Sequence, residues 1–160
     1  MKIISNTSPL IFLAKIEKLY LLKNYELTIP NVVFREVEKK REDQTYFIIK
    51  KFIQDNKIKI QDVELLKKLP NSLGDGEKGV ISLAVKEGVK NVIIDEKKAR
   101  TIAKSYNLIP KGTLALLATA VKKKEISERE CKELILGLLK KGYRIDQKLI
   151  MELIEFLGNK

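Results

Sequence analysis

The sequence contains no histidine and no tryptophan, a single cysteine, and only four prolines in 160 residues. Without histidine there is no Ser-His-Asp triad, no Cys-His pair and no His-ligated zinc site. Any catalysis in this chain must rest on carboxylates, lysines, hydroxyls or a metal held by oxygen ligands. The lone Cys131 has no internal disulfide partner. It sits in the helical run ERECKELILGLL and reads as a packing residue. No uncharged run reaches membrane-spanning length, so no membrane association is expected. The opening MKIIS is interrupted by Asn6, Thr7, Ser8 and Pro9 too early for a signal peptide, which leaves a cytoplasmic protein as the expectation.

Cations, by contrast, are abundant. Lys plus Arg number 32 against 21 Asp plus Glu, a formal charge of +11. An excess of this kind suits a polyanionic partner such as nucleic acid. The alternative is the lysine-rich surface of a heat-adapted protein, but that surface is enriched in both signs together.

The most informative stretch runs from Gly74 to Ala103 and reads as helix, strand, helix. Ile81, Ala84, Val85 and Gly88 recur at helical spacing, with Glu77 in the first turn and Gly88 where a helix would stop. Asn91 to Ile94 is a short apolar run suited to a strand buried on both faces, and it ends at Asp95. A second helix follows through Glu96, Ala99, Ile102 and Ala103. Gly74, Gly76 and Gly79 also spell G-x-G-x-x-G, the dinucleotide fingerprint. That fingerprint needs a strand immediately before its first glycine, whereas Leu69 to Leu73 reads as a turn-rich linker. Asp75 and Glu77 would moreover set negative charge where a pyrophosphate should lie. Two readings remain open here: a glycine-loosened loop entering a helix, or an acidic helix start that supplies a metal ligand.

In chain order, Lys2 to Ser5 predicts a strand, followed by a helix with Ser8 as N-cap and Pro9 at its first position. A short helix over Leu19 to Leu22 precedes a strand over Glu26 to Ile29. Pro30 opens a helix that carries Glu36 beside the apolar stripe of Val33, Phe34 and Val37. Further helices are predicted over Gln44 to Asn56, Val63 to Leu69, Thr113 to Val121, Ser127 to Lys141 and Asp146 to Leu157. An edge strand is expected at Lys57 to Ile60 and a last brief strand at Leu108 to Pro110. Strands alternating with helices argue for a parallel sheet covered on both faces. Ligands in such sheets bind outside the carboxyl ends of the strands. Asn6 and Asp95 would stand there, with Glu36 and Glu77 on helices that can lean over the same edge. Four oxygen-bearing side chains meeting at one place would suit Mg²⁺ or Mn²⁺.

Five segments in order then resemble the PIN-domain family: Ser5 to Ile16 (SNTSPLIFLAKI), Ile29 to Val37 (IPNVVFREV), Gly74 to Ala84 (GDGEKGVISLA), Val92 to Arg100 (VIIDEKKAR) and Lys111 to Leu117 (KGTLALL). The resemblance covers nearly the whole chain. It implies one PIN-like domain over residues 1–160, a three-layer α/β/α sandwich with a short parallel sheet of four or five strands. The C-terminal helices of 127–157 would pack on that domain or form a dimer surface. It further implies a Mg²⁺- or Mn²⁺-dependent ribonuclease, related to the toxins of type II toxin–antitoxin modules, with RNA as substrate and an antitoxin protein as partner. An adaptor or RNA-binding protein with weakened catalysis is the alternative. Carried over by position, the family's acids fall on Asn6, Glu36, Glu77 and Asp95. Thr7 matches a hydroxyl lining the site, Asp75 stands in reserve for Glu77, and Glu96 for Asp95. Lys97, Lys98 and Arg100 are the expected contacts to the RNA backbone. Asn6 departs from the family's usual aspartate; its amide offers a cation a carbonyl oxygen without charge.

Overall fold

The apolar run Lys2–Ser5 forms β1, the central strand of a five-stranded parallel sheet in the computed structural model, which describes residues 1–145 together with Gln147, Ile150, Met151, Leu153 and Glu155. The other strands are Glu26–Pro30 (β2), Lys59–Gln61 (β3), Asn91–Ile93 (β4) and Ile109–Lys111 (β5), in the order β3-β2-β1-β4-β5. Register pairs Ile3 with Leu27 on one side of β1 and with Asn91 on the other. Ile3, Ile4, Val92 and Ile93 are fully buried or nearly so, as strands covered on both faces require.

Each crossover carries helix. Thr7–Lys15 (α1) joins β1 to β2, and Asn31–Glu38 (α2) and Gln44–Asp55 (α3) join β2 to β3. Asp75–Glu87 (α4) leads into β4, and Lys97–Ser105 (α5) leads into β5. The first two crossovers step one way along the sheet and the last two step the other way. Right-handed connections therefore place α1 and α3 on one face and α4 and α5 on the other, giving an α/β/α sandwich. The order reverses between β1 and β4, the switch point at which such sheets bind ligands.

The chain divides into two compact units, Met1–Gly112 with the sheet and Thr113–Lys160. The second unit holds Thr113–Lys122 (α6) and Glu128–Lys140 (α7), which pack on each other. Ser127 caps α7, its Oγ accepting from the Glu130 amide at 3.0 Å. Of the helix expected over Asp146 to Leu157, the described residues Gln147, Ile150, Met151, Leu153 and Glu155 are helical, and Asp146 lies outside them. Among the described residues no helix is long and apolar enough to cross a membrane.

Two local expectations are corrected. The first helix begins at Thr7 with Asn6 in the N-cap position, so Pro9 stands third in the helix rather than first. Pro9 is tolerated there because the amides of the first turn have no intrahelical partner. Val63 to Leu69 is not helical. Its Leu66 amide donates instead to Ser82 Oγ on α4 at 2.9 Å, and Leu69 is buried without a helix to present it.

Candidate active site

Asn6 is the residue that β1 delivers to the switch point. Its amide donates to the Ile93 carbonyl at 3.0 Å, so the chain stays tied to β4 until helix α1 begins. Asparagine is among the best N-cap residues, yet this side chain makes no cap bond. Half of the reason is sequence: a cap accepts from the second or third helical amide, and Pro9 has none. The side chain is instead 94 % buried, being 6 % exposed, and its Oδ1 accepts no hydrogen bond. Among the described residues no other buried side-chain nitrogen or oxygen is left without a partner.

Glu36 reaches the same place from α2. Its carboxylate accepts from Thr7 Oγ1, in the first turn of α1, and from the Gly76 amide, in the first turn of α4, at 3.0 Å. Two helix N-termini thus aim amides, hydroxyl and positive dipole ends at one carboxylate, which favours its charged form. A methyl group on Gly76 would lie 2.7 Å from Glu36 Oε2 and 2.8 Å from Asn6 Oδ1. The glycine is what lets both oxygens come in.

The glycine-rich stretch now has a physical account that involves no nucleotide. Gly74 is the N-cap of α4, and its amide donates to Glu77 Oε2 at 2.9 Å, the half of a capping box that needs no side chain at the cap. Gly76 makes room for the two oxygens. Gly79 lets α4 approach α2, since a Cβ there would stand 2.3 Å from Val32 Cγ1. Gly76 is the functional residue that motif reasoning passed over; the available signal was a glycine flanked on both sides by acids in a helix's first turn.

The remaining expected residues occupy distinct positions around this centre. Glu77 is half-buried, and burial pushes its carboxyl above the usual range, with the charges of Glu96 and Glu36 pushing the same way and the Gly74 amide pulling back. Glu96 is the N-cap of α5, accepting from the Ala99 amide at 3.2 Å. Asp95 leaves β4 beside Gly112, where a Cβ would lie 3.0 Å from its Oδ1 and 3.7 Å from Arg100 Nη1. Asp75 is exposed. Lys97 and Lys98 stand on the outer surface of α5, whereas Arg100 turns inward and Nη1 donates to the Asp95 carbonyl. Asn6, Thr7, Glu36 and Gly76 are therefore brought into one constellation, with Glu77 and Glu96 in electrostatic reach. Among the described residues no three acidic, histidine or cysteine side chains surround a single point closely enough to cage a metal on their own.

The donor set is oxygen throughout, which fits a hard divalent cation and not zinc or copper. A buried carbonyl oxygen with no donor, beside a carboxylate, is an electrostatic arrangement that a cation would relieve. On this ground the residues fit Mg²⁺ or Mn²⁺, with Asn6, Glu36, Glu77 and Asp95 as the groups that would hold it.

Residues 2–159 match a family model described as a PIN domain. The fold is similar to that of a PilT N-terminus domain protein from the hyperthermophilic archaeon Sulfolobus solfataricus P2, at a TM-score of 0.57 and 18 % identity, covering 76 % of this chain and 94 % of that one. No curated protein matches the sequence.

Proposed function

Because the chain belongs to the PIN-domain family, whose members are generally nucleases, we propose that it is a metal-dependent endoribonuclease. The observation that carries this reading is the buried Asn6 carbonyl, unpaired, next to a Glu36 carboxylate fixed by donors from two helices at the sheet's switch point. A bound Mg²⁺ or Mn²⁺ would supply an activated water and neutralise charge on the departing oxygen. The chain's own residues set the stage for that. Thr7 and the Gly76 amide hold Glu36 in one orientation, so no rotamer search precedes binding. Arg100, anchored on the Asp95 carbonyl, fixes the β4–α5 turn and brings a cation to the site's edge. Lys97 and Lys98 draw in the phosphate backbone by charge, without reading sequence.

A second reading is an RNA-binding adaptor with little or no catalysis. It is favoured by the neutral Asn6 and by Glu77, whose carboxylate is turned to cap Gly74. Incubating structured RNA with the protein over a Mg²⁺ and Mn²⁺ titration, with and without EDTA, separates the two. Cleavage abolished by EDTA supports the nuclease; cleavage indifferent to EDTA removes the metal mechanism; retention without cleavage supports the adaptor. Toxin-like action against cellular RNA, a small antitoxin partner, and a homodimer extend the proposal, with both units acting as one PIN-like domain. Exposed Leu136, Leu139 and Met151 offer apolar surface for such partners. Sedimentation of the same preparations that finds only monomer at high concentration removes the dimer.

A further inference from the structure

We infer that the Asn6 side-chain amide is a two-position latch on the site: its carbonyl faces the acid cluster when a divalent cation is bound, and its amide nitrogen faces Glu36 when none is. The inference rests on the metal-dependent reading above and deepens it.

The structure holds Asn6 in the first position. Oδ1 is buried, accepts nothing, and shares with both Glu36 carboxylate oxygens the hollow above Gly76. Two oxygen acceptors turned toward one hollow repel each other, and a buried acceptor left unmade is costly. A cation between them converts that repulsion into coordination. Without a cation the cheapest remedy is local. Half a turn of the terminal torsion, which is soft in asparagine, exchanges Oδ1 for Nδ2 and offers Glu36 a third donor. Competing uses of the amide are few, because the cap position that Asn6 occupies is not used by its side chain.

Aspartate at this position has no such second position. Two carboxylates would face the hollow, and metal-free they would repel in both rotations. Asparagine therefore makes the metal-free site self-consistent and makes cation entry conditional on breaking the Asn6–Glu36 bond. Metal affinity is lowered by the fraction of time the carbonyl faces inward.

Nuclear magnetic resonance of the full chain tests this directly. The Asn6 side-chain NH₂ pair is identified by its loss in Asn6→Asp. In EDTA, one Nδ2 proton should resonate downfield and exchange slowly with water, as a proton held by a carboxylate does. Saturation with Mg²⁺ alone should move it upfield and speed its exchange. Calorimetry should show Asn6→Asp binding Mn²⁺ about tenfold more tightly than the parent, with lower metal-free thermal stability that Mn²⁺ restores. If calorimetry registers Mg²⁺ and the Gly76 backbone amide shifts while the Asn6 protons do not, the latch is wrong and the metal reading stands. If Asn6 Nδ2 shows no bonded proton even in EDTA, the latch is also wrong. If neither Mg²⁺ nor Mn²⁺ binds parent or Asn6→Asp, both the latch and the metal reading fall. Gly76→Ala guards against misassignment: its added methyl displaces Glu36 and Asn6 from the hollow, so the slow Nδ2 proton should disappear in EDTA without loss of fold.

Discussion

At the scale of single residues, the site is a set of side chains given uneven amounts of freedom. Glu36 is fixed twice over, by Thr7 and Gly76, while Glu77 is divided between capping α4 and facing the other acids. The consequence for Glu77 depends on pH. Its carboxyl is raised above the ordinary 4.5, first by burial and then by Glu96 and Glu36. A group whose folded pKa is raised contributes stability that is complete below its unfolded value and is lost as pH rises through the folded one. In EDTA, the parent should therefore lose stability relative to Glu77→Gln as pH climbs from about 4.5. Glutamine keeps an acceptor for the Gly74 amide, so the cap survives the change. At neutral pH the variant should be the more stable protein without metal and the less stable one with Mn²⁺. Melts of both over that pH range decide it, and parallel curves would show that Glu77 is an ordinary solvated acid. Much of this level was legible beforehand: Asn6, Thr7, Glu36, Glu77 and Asp95 were named from segment order. Which of them are held, and by what, was not, since a backbone amide donor such as Gly76 leaves no trace in side-chain chemistry.

Among the elements, the decisive contact is α4 against α2, because it carries Glu36 to the first turn of α4. Glycine in a helix interior costs about 1 kcal/mol against alanine, so Gly79 must return something. It returns proximity: a methyl at Gly79 would overlap Val32, whose β-branched side chain cannot swing away. Gly79→Ala should destabilise the protein by about 1–2 kcal/mol net, the overpacking cost less the gain in propensity. Thermal midpoint should fall by roughly 3–6 °C for a chain of this size. Gly137→Ala, inside α7 with nothing described within 4 Å of its Cβ, should instead raise stability by up to about 1 kcal/mol. Equal effects at the two glycines would mean that helix propensity alone is being measured. Strands were readable because apolar runs such as Asn91 to Ile94 lie between turn residues. Val63 to Leu69 misled because its apolar spacing is helical while its amide is claimed by Ser82, sixteen residues away on another element. No local pattern reports a partner at that distance.

For the whole molecule, the dominant property is the formal charge of +11, with no tryptophan and few other aromatics to stack on bases. Binding of RNA should then be governed by counterion release rather than by stacking, and its affinity should fall steeply with salt. The position of each cation decides what it contributes to that slope. Lys97 and Lys98 are exposed on the first turn of α5, so each that contacts a phosphate should remove about 0.7 from the log–log slope when changed to alanine. Arg100 was expected in the same role, but its guanidinium reaches back to the Asp95 carbonyl. Arg100→Ala should leave the salt slope nearly unchanged and lower the cleavage rate at saturating RNA, because what it loosens is the turn that carries Asp95. Arg100→Lys should not restore the rate, since an ammonium lacks the planar fork that both bonds the carbonyl and keeps donors in hand. The measurement is RNA affinity across a salt series, with single-turnover rates, for Lys97→Ala, Lys98→Ala, Arg100→Ala and Arg100→Lys. A slope reduced equally by all of them would return Arg100 to the surface that holds RNA. An affinity flat in salt would remove the electrostatic model for the entire molecule.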